Sequence, residues 1–178
     1  SFSACQAADL NHVDLAARNL EFANLSRANL AGANLASADL TRARMASTAL
    51  TGASLAGAQL DWANLSRATL IGSDLTGADL TYADMSRTNL TGANLAGANL
   101  AGADLTSARL TNVTWTGTTA DTDTKWPTGF RLTPAWWLIT IVAAPTPPAP
   151  CVPAAAVTCP AVNLKGASLA GVNLSDSA

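Results

Sequence analysis

The chain has 178 residues, 49% of them hydrophobic and only 12% charged, with a formal net charge of −2. That is enough length for one domain with its own core, and too apolar a composition for disorder. No excess of base is present to hold nucleic acid or an anionic membrane, so direct nucleic-acid binding is not expected.

The chain begins at Ser1 without a methionine or a signal peptide, as expected of a processed chain or a cut piece. From there a repeat takes over. Leucine falls on nearly every fifth residue from Leu10 to Leu110, with Met45 and Met85 as the breaks, and Trp115 takes the next slot. Alanine stands two residues before most of these, as at Ala23, Ala28, Ala33 and Ala38, and Asn or Asp commonly lies between.

Period five excludes both ordinary elements. On an α-helix five residues advance by about 500°, so the leucines would precess around every side. Along a straight strand an odd spacing sends alternate leucines to opposite faces. A chain that turns once per repeat buries them all, and four turns close a square coil. Leucine and alanine then point inward, while coils stack at roughly 4.8 Å with hydrogen bonds along the axis. Glycine at Gly32, Gly52, Gly57, Gly72, Gly77, Gly92, Gly97 and Gly102 suits the corners.

Strings such as Ala23-Asn24-Leu25-Ser26-Arg27 and Ala93-Asn94-Leu95-Ala96-Gly97 resemble the A(D/N)LXX signature of the pentapeptide-repeat family. The resemblance covers residues 8–117 continuously and returns at Leu164, Leu169 and Leu174. It implies an all-β fold, a right-handed quadrilateral β-helix. It also implies a function for some members, which resemble B-form DNA, bind DNA gyrase and protect or inhibit it.

Three segments follow from the pattern: a main β-helix over 1–116, a non-repeat excursion over 117–160, and resumed repeats over 161–178 that dock on the same solenoid. A stacked rod must hide its ends. Val13 and Arg18 replace the inward alanine near the start, with Phe22 close by, and read as one plug; Val113 and Trp115 read as the other. Beyond Thr116 the period is lost, Trp126-Pro127-Thr128-Gly129-Phe130 is a sharp bend, and 135–142 has strand composition. The pair Trp136–Trp137 is read as the contact of the excursion or as a partner-binding tip. Its apolar run ends before Pro145, far short of the about 20 residues a membrane-spanning helix needs. Residues 144–160 are rich in Pro and Ala.

Residues twenty apart sit above one another, so the outer positions sort into columns. Two residues after the central leucine, one face carries Phe22, Arg42, Trp62 and Tyr82, and the next carries Arg27, Ser47, Arg67, Arg87 and Ser107. Stacked rings and cation–π contacts account for such a ladder structurally. As a binding site it would be a recognition face, since Trp, Tyr and Arg dominate interface hot spots. Asp74, Asp79 and Asp84 lie on three successive sides with Asp104 one coil above Asp84, in the slot that Asn fills equally often. They read as corner hydrogen-bonding residues or as an acidic face. A rank of Thr51, Ile71, Thr91 and Thr111 beside glycines suggests a water- or ice-ordering surface.

Catalysis finds no support: His12 is the single histidine, Glu21 the single glutamate, and no nucleophile motif, phosphate loop or ligand cluster is present. Cys5, Cys151 and Cys159 fit no zinc spacing. A Cys151–Cys159 or Cys5–Cys151 disulfide and unpaired small apolar residues are the two readings. The expectation is therefore a non-catalytic scaffold, without cofactor or metal, offering a rigid face to a protein partner as a monomer or homodimer. The gyrase-binding alternative meets Arg18, Arg27, Arg42, Arg44, Arg67, Arg87 and Arg109, which nearly balance the acids of the repeats. An extracytoplasmic setting fits the cysteines and the Pro/Ala segment; a gyrase partner would require the cytoplasm.

Overall fold

The computed structural model describes residues 5–130 and the backbone of 139–142. The expected Trp136–Trp137 contact, the Pro/Ala segment with Cys151 and Cys159, and the repeats of 161–178 lie outside the described residues.

Each pentapeptide makes one side of a square. Parallel bridges join residues twenty apart in four interleaved series that begin at Asp9–Asn29, Asp14–Asn34, Asn19–Asp39 and Asn24–Arg44. These define a first, second, third and fourth side in chain order. The hydrogen bonds run along the axis: the Leu30 N–H donates to the Ala49 carbonyl at 2.7 Å, and the Asn29 N–H donates to the Ala8 carbonyl at 2.9 Å. Corners close within the coil, as where the Ala33 N–H donates to the Leu30 carbonyl at 3.1 Å. That four-residue turn places its third residue at positive φ, the pattern of a type II turn.

The interior is the leucine–alanine column the repeat predicts. Leu25, Met45, Leu65 and Met85 are all buried on the fourth side, the two methionines filling leucine slots, and the other three sides repeat the arrangement. Alanine is small because two inward residues per side share a narrow interior, and a few polar residues replace it where they find a partner. Thr48 and Ser73 donate their hydroxyls to the carbonyls of Leu25 and Leu70, both at 2.9 Å, so neither is left unsatisfied.

Two expectations about the ends are corrected. Phe22 is no plug: it occupies a corner position at φ 59°, is 59% exposed, and points away from the interior. Arg18 is exposed as well, and among the described residues the first coil is closed by half-buried Leu10, Val13 and Leu15, with Cys5 at the head of the Leu25 column. Nor does the coil stop at 116. Strand β1, Thr118–Asp121, bridges back to the preceding coil through Thr119–Asn99, with Thr118 buried in the alanine slot and Ala120 in the leucine slot. A wider corner then inserts one residue, so that Asp104 pairs with Lys125. Asp121 organises that corner, its Oδ1 accepting from the N–H groups of Gly102, Asp123 and Thr124. Strand β2, Ile139–Val142, adds a further parallel rung on β1, with Thr118 opposite Ile139.

Trp115 does cap the far end, but with partners beyond the repeat. Trp126 and Phe130 stack at 4.7 Å and 5°, and Trp115 meets Trp126 edge-on at 5.9 Å. The expected bend brings them there: Gly129 sits at φ 78° and the Phe130 N–H donates to the Pro127 carbonyl at 3.0 Å.

Candidate recognition surface

The corner turn fixes what the surface can display. Its third residue lies in the left-handed region at every corner, whatever its identity. Glycine adopts that conformation freely, whereas any residue with a Cβ is strained there by about 1–2 kcal/mol. After the first and second sides most coils satisfy this with glycine, as at Gly52 and Gly72 or Gly77 and Gly97. The corner after the third side instead holds Phe22, Arg42, Trp62 and Tyr82, at φ 56–60°. That after the fourth side holds Arg27, Arg67 and Arg87, at φ 59–60°, with Ser47 and Ser107 in the other coils and no glycine.

The third corner is a stacked ladder. Trp62 and Tyr82 lie face to face at 4.5 Å and 23°, and the Arg42 guanidinium sits 5.8 Å from the centre of the Phe22 ring. The Tyr82 ring continues over Gly102, where an added Cβ would collide with it. Even so stacked, Trp62 and Tyr82 remain 55% and 46% exposed.

The aspartates are used by the turns. The Oδ1 atoms of Asp74, Asp79, Asp84 and Asp104 accept the N–H of the residue two positions on, at 2.9–3.1 Å. Asn24, Asn64 and Asn94 make the same bond, which is why Asn and Asp alternate in this slot. Asp104 also meets Lys125 at 3.2 Å. Burial pushes its carboxyl pKa up, but the Thr106 and Lys125 hydrogen bonds and the Lys125 charge outweigh that and leave it lowered. The Thr51, Ile71, Thr91 and Thr111 rank follows the first side, and the Thr91 hydroxyl is directed to Asn89 Oδ1 at 2.7 Å.

Charge is sorted by side, which a whole-chain sum hides. The third side and the corner that follows it bear Glu21, Asp39, Asp61, Asp79 and Asp121, against Arg18 and Arg42. The fourth side and the corner that follows it bear Arg27, Arg44, Arg67 and Arg87, against Asp84 and the paired Asp104. The aromatic ladder runs along the boundary between these two sides. Nothing in the sequence but the twenty-residue column arithmetic would have revealed this division. Among the described residues no group of three His, Cys, Asp or Glu side chains converges on a metal-sized site, and no helix is long and apolar enough to cross a membrane.

Comparison with known proteins agrees with the geometry. No curated protein matches the chain. A solved pentapeptide repeat protein from Nostoc Pcc 7120, alr5209, is 34% identical over 58% of this chain and 84% of its own, with a TM-score of 0.56. HetL, a pentapeptide repeat protein involved in heterocyst differentiation regulation in the same cyanobacterium, is 31% identical over 68% of this chain and 69% of its own, at a TM-score of 0.37. QnrB1, a plasmid-mediated fluoroquinolone resistance protein, is 13% identical over 82% of this chain and 88% of its own, at 0.36. The family model described as pentapeptide repeats, eight copies, matches residues 8–45, 43–81 and 83–117. With its five-residue register, four-sided coil and filled leucine interior, the chain belongs to the pentapeptide-repeat family.

Proposed function

We propose that the protein is a non-catalytic interaction scaffold whose recognition edge is the column Phe22, Arg42, Trp62 and Tyr82, extended by Arg67 and Arg87 on the neighbouring corner. The observation that carries this reading is the choice of residue at the strained corners. Glycine takes most of the positive-φ positions along two corners of the rod, while Phe22, Arg42, Trp62, Tyr82, Arg27, Arg67 and Arg87 hold the same conformation along the other two. Strain kept where the fold offers a cheaper residue points to a use for the side chain. The side chains are also of the types that carry binding energy. A four-coil column spans about 14 Å by the strand spacing, the scale of part of a small protein interface.

The test is immobilised protein presented to a cell extract, beside a W62A/Y82A variant. A partner retained by the wild type and lost by the variant, at equal melting temperature, supports the reading. Identical capture by both removes the aromatic edge from it.

The acidic third side favours a second reading, modulation of DNA gyrase by a DNA-like surface. Purified protein in a gyrase supercoiling assay decides it. Inhibition or drug protection would shift attention to Asp74, Asp79, Asp84 and Asp104 beside the third-side column; no effect at micromolar protein would leave the scaffold alone.

A further inference from the structure

Resting on the scaffold reading, we propose that the fourth side is a docking face for an acidic polypeptide segment, clamped between the arginine corner and the Trp62–Tyr82 edge. Three independent features of the rod lead there. The first is charge: Arg27, Arg44, Arg67 and Arg87 gather on this side and the corner that follows it, against Asp84 and the Lys125-paired Asp104, while most of the described carboxylates lie on the other three sides. The second is the lack of a counterion among the described residues. Lys125–Asp104 is the only ion pair among the described residues, and neither Arg67 nor Arg87 donates a side-chain hydrogen bond to any described residue. The two guanidinium groups nonetheless stand on successive coils, where like charges repel. The third is backbone: both residues hold φ at 59° although glycine serves the equivalent corners elsewhere. Repulsion and strain at one place, without a partner among the described residues, are relieved by an external anion.

A polypeptide fits that anion better than nucleic acid does. Ser47 interrupts the arginine column and Ser107 ends it, which suits spaced carboxylates rather than a continuous phosphate chain. Asp84 in the middle of the face and the acidic third side beyond the ladder oppose a polyanion that overruns its footprint. Trp62 and Tyr82 offer apolar area that an aliphatic or aromatic side chain of a peptide would cover.

The probe is a short fluorescein-labelled peptide of glutamate and leucine, titrated by anisotropy against the whole protein and an R67G/R87G variant. Glycine is used because it removes charge at a backbone position where it relaxes strain, so the variant folds. Binding that weakens with salt and falls roughly tenfold or more in the variant is the expected result. No binding, equal binding by the variant, or tighter binding of oligothymidylate each overturns the proposal. The arms separate it from the scaffold reading: if R67G/R87G binds the peptide unchanged while W62A/Y82A still loses its captured partner, only the acidic-segment inference fails.

Discussion

The glycine-lined corners and the furnished corners run the length of one rod on one backbone, and they differ only in what they carry. At Gly72 an added Cβ would meet open space, and φ is 62°. At Trp62 the same turn, at 60°, holds the largest side chain available. The coils stack equally well in both cases, since the N–H of Trp62 donates to the Thr81 carbonyl at 2.9 Å as that of Gly72 does to the Thr91 carbonyl at 3.0 Å. Stacking is therefore set by the inward leucines and the axial hydrogen bonds, and the corners are left open to other demands.

That separation can be attacked from the inside first. Leu65 is fully buried on the fourth side. Leu65→Ala should lower unfolding stability by about 2–5 kcal/mol through the cavity it leaves. Chemical denaturation measures this, and an unchanged midpoint would contradict a shared leucine core. Next comes Gly102, the one glycine of the furnished third corner. Gly102→Ala should destabilise by more than the about 1–2 kcal/mol of backbone strain alone, because its methyl displaces the Tyr82 ring. Gly72→Ala, with open space around it, should show the backbone part only. Equal losses in the two variants would mean that the Tyr82 ring is not held over Gly102.

Smaller still is the effect of emptying the fourth corner. R67G/R87G relaxes two strained residues but frees the unfolded chain, so stability should stay level or rise by about 1 kcal/mol. A clear fall in melting temperature would show that the arginines hold the coil together. The smallest effect belongs to Asp104. Its folded pKa is lowered, so its contribution is complete above the unfolded value of 3.8 and fades as pH drops through the folded value. Asp104→Asn should therefore flatten the acid limb of the stability profile slightly and leave neutral pH nearly unchanged, since the carboxylate–Lys125 pair is solvent-exposed.

Leucine spacing is enough to read the fold, because only one geometry buries a five-residue period. It misleads at both ends for a physical reason. Thr118 stands in for alanine by bonding its hydroxyl to the Leu95 carbonyl at 2.7 Å, and Ala120 stands in for leucine. A reading that follows leucine loses the coil there, and the single inserted residue before Lys125 breaks the count again. The size of Phe22 suggests a plug; the left-handed corner turns the ring outward instead. The ladder itself is legible, since twenty-residue columns need only arithmetic. The sorting of charge yields to the same arithmetic only when it is applied to every charged residue, because neither a net charge nor a roll of arginines says which side each one occupies.

The five-residue side has a further consequence for how such a rod can change over generations. Loss of one whole repeat leaves every inward slot filled, yet it turns all later residues by a quarter of the circumference. Arg67 and Arg87 would then stand beneath a different column, and the aromatic edge would be cut at the splice. Loss of four repeats shortens the rod and restores the alignment. Length in this molecule is thus also an angle, and a lineage that keeps its binding face can grow or shrink freely only by full turns.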